Sequence, residues 1–225
     1  MNRDAQRPLL RFENLAGGYG DTAVLRGLDG GVAPARTLGV LGRNGVGKTT
    51  LLRLLMGYNR PFSGTVHWRD RDLARLPPFA RRRIGISYAP QESVVFDELT
   101  VFDNLTLHRT SRVLDDYARY FDAFPRLAQR LRQLAGSLSG GEKKLVSFVR
   151  VLAESSPLTL LDEPTEGVQQ ENIAIMAALV GVSEFLCARC SETCPRRRAS
   201  LATNAKPRWA SRSPSYAPAF VNRSS

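Results

Sequence analysis

Short apolar runs separated by glycine-rich turns fill residues 9–35: Leu9-Leu10-Arg11-Phe12, Ala23-Val24-Leu25 and Gly30-Gly31-Val32. Runs of this length between turns predict antiparallel strands. The pattern then changes. Residues 37–41 read as a strand and 50–56 as a helix, with a glycine-rich octapeptide between them, and such a strand-loop-helix unit opens an α/β core. Gly64-Thr65-Val66-His67-Trp68 predicts another strand, and residues 84–89 a short buried one that ends at Pro90-Gln91. Between 99 and 134 the apolar positions Val101, Leu105, Leu107, Val113, Leu114, Tyr117, Tyr120 and Phe121 recur at three- and four-residue steps, the period of a helix. A helix opening at Ser139 continues through 143–152, and the apolar run from Leu158 to Leu161 predicts a fully buried strand. The chain has no internal repeat.

The octapeptide Gly42-Arg43-Asn44-Gly45-Val46-Gly47-Lys48-Thr49, followed by Thr50, fits the phosphate-loop pattern G-x-x-x-x-G-K-[ST]. Its glycines let backbone amides curl round a β-phosphate, Lys48 reaches β- and γ-oxygens, and the Thr49 hydroxyl ligates Mg²⁺. Ser139-Gly140-Gly141-Glu142 has the S-x-x-E form of a capping box, in which hydroxyl and carboxylate close the first turn reciprocally. The two glycines leave that turn's amides uncovered. A helix N-terminus of this kind suits a phosphate, but it needs something else to hold the rest of a nucleotide.

With the phosphate loop, Leu138-Ser139-Gly140-Gly141-Glu142 and Leu158-Thr159-Leu160-Leu161-Asp162-Glu163-Pro164 in this order, the chain resembles the ATP-binding subunits of ABC transporters over residues 10–181. Gly17-Gly18-Tyr19-Gly20 and Pro164-Thr165-Glu166-Gly167 are similar to the branched-chain amino acid and urea/short-amide uptake group. The resemblance implies an α/β P-loop NTPase of ABC type: a mixed sheet, an antiparallel β subdomain and a helical subdomain at about 95–138. It implies ATP and Mg²⁺ as cofactors and an ATP sandwich shared with a second ATP-binding subunit, identical or related. Each ATP would lie between one copy's phosphate loop and the other's Ser139, Gly140, Gly141 and Glu142. By the same resemblance Asp162 holds the magnesium and Glu163 orients the attacking water. Neighbouring side chains of an extended strand point to opposite faces, so two adjacent acids can serve two targets. Gln91 reaches the metal from the glutamine loop, and Tyr19 stacks on adenine. Gln169-Gln170 replaces the usual Gln-Pro, and Lys143-Lys144 stands where glutamines are common.

The 225 residues suit one domain, or one with an appended tail, and 43% hydrophobic content readily supplies a core. No leader is apparent, and no apolar stretch approaches the roughly 18 residues of a membrane span. The expectation is a cytoplasmic protein held at the inner face of the membrane by permease subunits, with a solute-binding protein involved only indirectly. The net charge of +11 is uneven: residues 182–225 carry eight Lys or Arg against Glu184 and Glu192. A nucleic-acid reading would rest on that tail and on Arg81-Arg82-Arg83, and no nucleic-acid partner is expected.

Downstream of Gly181 the chain departs from the family. The resemblance calls for closing strands and a histidine that bonds the γ-phosphate, yet His67 and His108 both precede the signature and read as ordinary surface or packed residues. Residues 182–225, rich in Arg, Ser, Ala and Pro, are expected to lack regular structure and the missing strands, a composition such as a shifted reading frame gives. Cys187, Cys190 and Cys194 lack a fourth ligand and read as incidental thiols. Three functions follow in order: an ATPase subunit energising solute import, a nucleotide-binding but hydrolytically impaired protein, and a non-transport ATPase acting on nucleic acid.

Overall fold

The computed structural model describes residues 8–181 and the backbone of residues 217–220. Strands β1 (Leu10–Tyr19) and β2 (Thr22–Val32) form the antiparallel hairpin read from the sequence. Strands β3 (Ser63–Trp68) and β4 (Arg71–Asp72) extend it in the order β2-β1-β3-β4. Alternation sends Leu10 and Phe12 inward and Arg11 and Glu13 outward. The register breaks after Phe12, where Asn14 takes φ +45° and its amide donates to Asp29 Oδ1 at 2.7 Å. Such a bulge bends the strand and sharpens its twist.

A second, parallel sheet joins β5 (Ile86–Ala89) to β6 (Leu158–Leu161). Every residue of β6 is buried, as its continuous apolar run predicts. The polar pair inside this ladder satisfies itself, Ser87 Oγ donating to Thr159 Oγ1 at 3.2 Å. On the other side of β6 lies β7 (Ala217–Phe220), also parallel. A tail without strands is therefore corrected at these four residues, where Ala-Pro-Ala-Phe supplies a short apolar run. Pro218 has no amide to give, which suits the outer position of β7 among the described strands. The three cysteines lie outside the described residues.

Residues 37–41, predicted as a strand, show only one bridge residue, Gly39. Strand geometry needs a partner along its whole length, and among the described residues this segment joins neither sheet.

Helix α1 (Lys48–Met56) follows the phosphate loop, and α2 (Pro78–Arg83) precedes β5. The helical period over 99–134 resolves into three short helices, α3 (Val101–Thr106), α4 (Ala118–Ala123) and α5 (Pro125–Gln129), with a 3₁₀ turn at Asp115–Tyr117. Thr100 and Asp103 close a capping box on α3, and Pro125 starts α5 where a missing amide costs nothing. Helix α6 (Gly140–Ala153) and α7 (Gln170–Val180) flank β6 in sequence.

Among the described residues two hydrophobic cores result. One gathers Leu10, Phe12 and Leu15 from the antiparallel sheet with Leu51, Leu54 and Leu55 from α1. The other gathers Tyr117, Tyr120, Val146, Phe148 and Val149 under the helical part. Strand β6 belongs to both, with Leu158 and Leu160 in the first and Leu161 in the second. The acidic pair that follows it therefore emerges at the seam between them.

Of the triple arginine, Arg81 is 2% exposed and works inside the fold. Its guanidinium donates to the carbonyls of Leu54 (2.9 Å), Leu55 (2.8 Å), Leu73 (2.7 Å) and Leu76 (2.9 Å). Two of these belong to the last turn of α1, where a cation complements the helix dipole and the orphan carbonyls. Arg82 pairs with Glu154 at 2.8 Å. Arg81→Met is expected to lower unfolding stability by about 3 kcal/mol, since it strands several buried carbonyls at once. Urea midpoints measure this, and a midpoint equal to wild type contradicts the role.

Candidate nucleotide-binding site

The phosphate loop is built by backbone freedom at its glycines. Gly45 (φ +80°) and Gly47 (φ +98°) hold left-handed conformations that L side chains adopt only with strain. Gly47 stands at the N-cap of α1, and among the described residues no side chain caps the helix. The first amides of α1 are thus left for a ligand, at the positive end of its dipole.

Lys48 is buried and folds back over the loop, donating to the carbonyls of Gly42 at 2.9 Å and Arg43 at 3.1 Å. Its ammonium also lies 3.9 Å from Glu163 Oε1, which is 7% exposed. The Thr49 hydroxyl donates to Asp162 Oδ1 at 3.2 Å, and the Tyr88 hydroxyl donates to Asp162 Oδ2 at 3.3 Å. Two elements 113 residues apart in sequence thus meet through Thr49 and Asp162. Burial pushes the Asp162 carboxyl above its usual range, against the two hydroxyl bonds that favour its charge. Burial and neighbouring Asp162 push the Tyr88 phenol far above its usual range, so it stays a donor. Glu163 holds φ +45°, an outlier for a side chain of its length.

A cavity of about 340 Å³ opens beside these groups, lined by Tyr19, Asn44, Gly45, Lys48, Thr49, Thr50, Gln91 and Glu163 among others. Tyr19 is 46% exposed at its mouth, with the Arg53 guanidinium 6.0 Å from the ring centroid. The turn carrying Tyr19 is pinned by Asn59, whose amide donates to the Gly18 carbonyl at 2.8 Å. Neither His67 nor His108 lines the cavity. Burial and the nearby Arg82, Arg109 and Arg150 bring His108 down to about 4, so it stays neutral at neutral pH.

Ser139, Gly140, Gly141 and Glu142 line a separate groove of about 930 Å³, and Gln91 borders both spaces. The predicted capping box is present: the Ser139 amide donates to Glu142 Oε2 at 2.9 Å and the Glu142 amide to Ser139 Oγ at 3.4 Å. Burial works against ionisation of Glu142, but the Ser139 bonds with Arg130 and Arg126 hold its carboxyl below the usual range. The two glycines differ. Gly140 has open space where a Cβ would stand, whereas a Cβ on Gly141 would come within 2.5 Å of the Gly167 carbonyl. Gly141 therefore lets the segment after the acidic pair approach the signature turn.

The oxygens at Thr49 and Asp162 suit a hard cation, and Mg²⁺ is commonly held by one or two such groups plus nucleotide phosphates. Among the described residues no three His, Cys, Asp or Glu side chains cluster into a dedicated metal cage, so this donor set fits a cation that arrives with its nucleotide. Glu166, read in the sequence as part of the Pro164-Thr165-Glu166-Gly167 motif, accepts from Gln91 Nε2 at 3.0 Å, while two groups escaped that reading: Tyr88 on Asp162 and Lys144 donating to the Gln91 carbonyl. Only Lys144 left a signal, as a departure from the signature pattern.

A phosphate loop joined to a strand-end acidic pair, with an antiparallel sheet and a helical part beside it, defines an ATP-binding cassette. The model of the ABC transporter family matches residues 25–166, and the chain belongs to that family. It is 34% identical to the high-affinity branched-chain amino acid transport ATP-binding protein BraG of Pseudomonas aeruginosa, over 71% of this chain and 70% of that one. It is 36% identical to the lipopolysaccharide export system ATP-binding protein LptB of Escherichia coli, over 71% and 68%. A solved ATP-binding subunit of an ABC transporter superposes with a TM-score of 0.66 at 28% identity, over 76% of this chain and 72% of that one.

Proposed function

We propose that this chain is the ATP-binding and ATP-hydrolysing subunit of a solute importer of the branched-chain amino acid or urea/amide type, acting on a separate membrane permease. The observation that carries the reading is the Thr49–Asp162 contact at the uncapped end of α1, with Lys48 and Glu163 beside it. These groups leave the carbonyls and carboxylates they now engage and take up a nucleotide: the α1 amides and Lys48 bind phosphate oxygens, and Thr49, Asp162 and Gln91 hold magnesium. Bound there, Mg²⁺ neutralises charge on the phosphates. Glu163 orients the water in line with the γ-phosphate, and Tyr19 stacks on the base. Ser139 to Glu142 face a different groove from the phosphate loop, which supports their completing the site of a second copy or a related subunit.

The likeness to BraG supports the amino-acid class, while the likeness to LptB is of equal size, so the solute rests with the permease and its binding protein. Among the described residues no helix is long and apolar enough to cross a membrane, and a place at the inner membrane face follows from the permease partner. One observation favours slower hydrolysis than in family members: the chain's two histidines, His67 and His108, both lie off the cavity.

Sedimentation of the full chain with increasing MgATP tests the reading. A monomer that becomes a dimer as ATP saturates is the expected result, with a Ser139→Phe variant remaining monomeric. A wild-type chain that neither binds ATP nor dimerises at millimolar nucleotide overturns it.

A further inference from the structure

Residues 91–97 connect β5 towards α3 and are gripped from one side by cations of α6. Lys144 donates to the Gln91 carbonyl, Arg150 donates to the Val94 carbonyl at 2.6 Å, and Lys143 donates to Asp97 Oδ1 at 2.7 Å. Lys143 and Arg150 stand seven residues apart, so they lie two turns apart on one helix face. Further along, Asn104 of α3 accepts from the Phe96 amide at 2.8 Å and donates to its carbonyl at 3.0 Å. The Gln91 side chain itself donates to Glu166 Oε2.

Lys144 differs from the other two cations in being buried, at 6% exposure. A buried ammonium is costly unless it is bonded and faces negative charge. Glu166, Asp162, Glu163 and Glu92 supply that negative charge. The bond and the acidic surroundings together retain it inside. The signature pattern, with Lys143-Lys144 in place of glutamines, thereby gains a physical account.

We propose that Lys144 is the positioning residue for Gln91, tying the backbone of the 91–97 loop to the signature helix so that the two move as one body. The consequence for turnover rests on the reading of Gln91 given above; the tie itself does not. A nucleotide-induced shift at the α6 N-terminus is passed through Lys144 to the Gln91 amide, and Lys143 and Arg150 carry the rest of the loop along.

Hydrogen exchange of the full chain, followed by mass spectrometry without nucleotide, tests the tie. In Lys144→Met, peptides covering 91–97 are expected to exchange about tenfold faster, while those covering α1 keep wild-type rates. Lys144→Arg, which keeps donor and charge, is expected to stay within about twofold of wild type. Steady-state phosphate release adds a second readout: kcat about tenfold lower in Lys144→Met with KM for ATP little changed, because Gln91 is misplaced and the phosphate loop is not. Unchanged exchange at 91–97, or equal acceleration throughout the protein, overturns the proposal. If wild type releases no phosphate, the hydrolytic reading fails and the exchange result still decides the tie.

Discussion

Lys48→Ala abolishes useful ATP binding, raising Kd by at least about a hundredfold. The size follows from what the side chain is placed to do. Its ammonium sits within reach of the loop's own carbonyls, at 2.9 and 3.1 Å, and exchanges them for phosphate oxygens when nucleotide arrives. Charge-assisted bonds of this kind contribute about 1.5–3 kcal/mol each, and about 2.7 kcal/mol corresponds to a hundredfold change in affinity. Alanine also leaves Glu163 buried without the cation 3.9 Å away, so the variant's fold must be checked. Circular dichroism does so, and a Lys48→Met variant keeps more of the packing. Equilibrium binding of an ATP analogue gives Kd directly. Thermal unfolding gives it by a second route, because ligand binding to the native state stabilises by RT ln(1 + [L]/Kd). Wild type is expected to gain stability in millimolar ATP and the folded variant to gain almost none. Tight binding by folded Lys48→Ala removes the phosphate loop from the site.

Much of this arrangement was legible in the sequence because its elements rest on local rules. A left-handed glycine before Lys48, a capping box at Ser139 and Glu142, and a wholly apolar run before Asp162 each specify their own geometry within a few residues. The antiparallel hairpin was legible for the same reason, since alternation at Leu10 and Phe12 fixes which face is buried. Non-local features were not. Whether residues 37–41 form a ladder depends on a distant partner, and the four-residue run at 217–220 becomes a strand only because β6 offers an open side. The helical period over 99–134 holds for Val101, Leu105, Tyr117 and Tyr120, which are buried, but not for Leu107 and Val113, which are exposed beyond the end of α3. The charges were least legible. Arg81 reads as part of a basic run and is a buried helix cap, and Lys144 reads only as a departure from the usual glutamine and is a buried donor to Gln91. A charge run says nothing of burial until the carbonyls it serves are known.

Glu163→Gln separates binding from hydrolysis. The Glu163 side chain stands at the seam of two cores, buried, next to Lys48 and on the cavity that holds Thr49. Its backbone is held at φ +45°, a conformation that costs a long side chain on the order of 1 kcal/mol and persists where a site requires it. Glutamine has nearly the same volume and backbone preference, so the strain and packing are retained while the carboxylate is lost. Removing a general base typically lowers the chemical step by about a hundred- to ten-thousandfold. The expected kcat is therefore at least about a hundredfold below wild type. Binding should not suffer. Glu163 raises the Asp162 carboxyl through like charge, and its neutralisation leaves Asp162 more readily ionised for the metal. It also frees Lys48 from a competing carboxylate, so ATP affinity is expected to equal or exceed that of wild type, and the MgATP-dependent dimer to persist longer. Phosphate release, ATP binding and sedimentation on the same preparation read the three quantities. Wild-type turnover by Glu163→Gln would assign the attacking water to another group, with Gln91 on the same cavity wall the candidate.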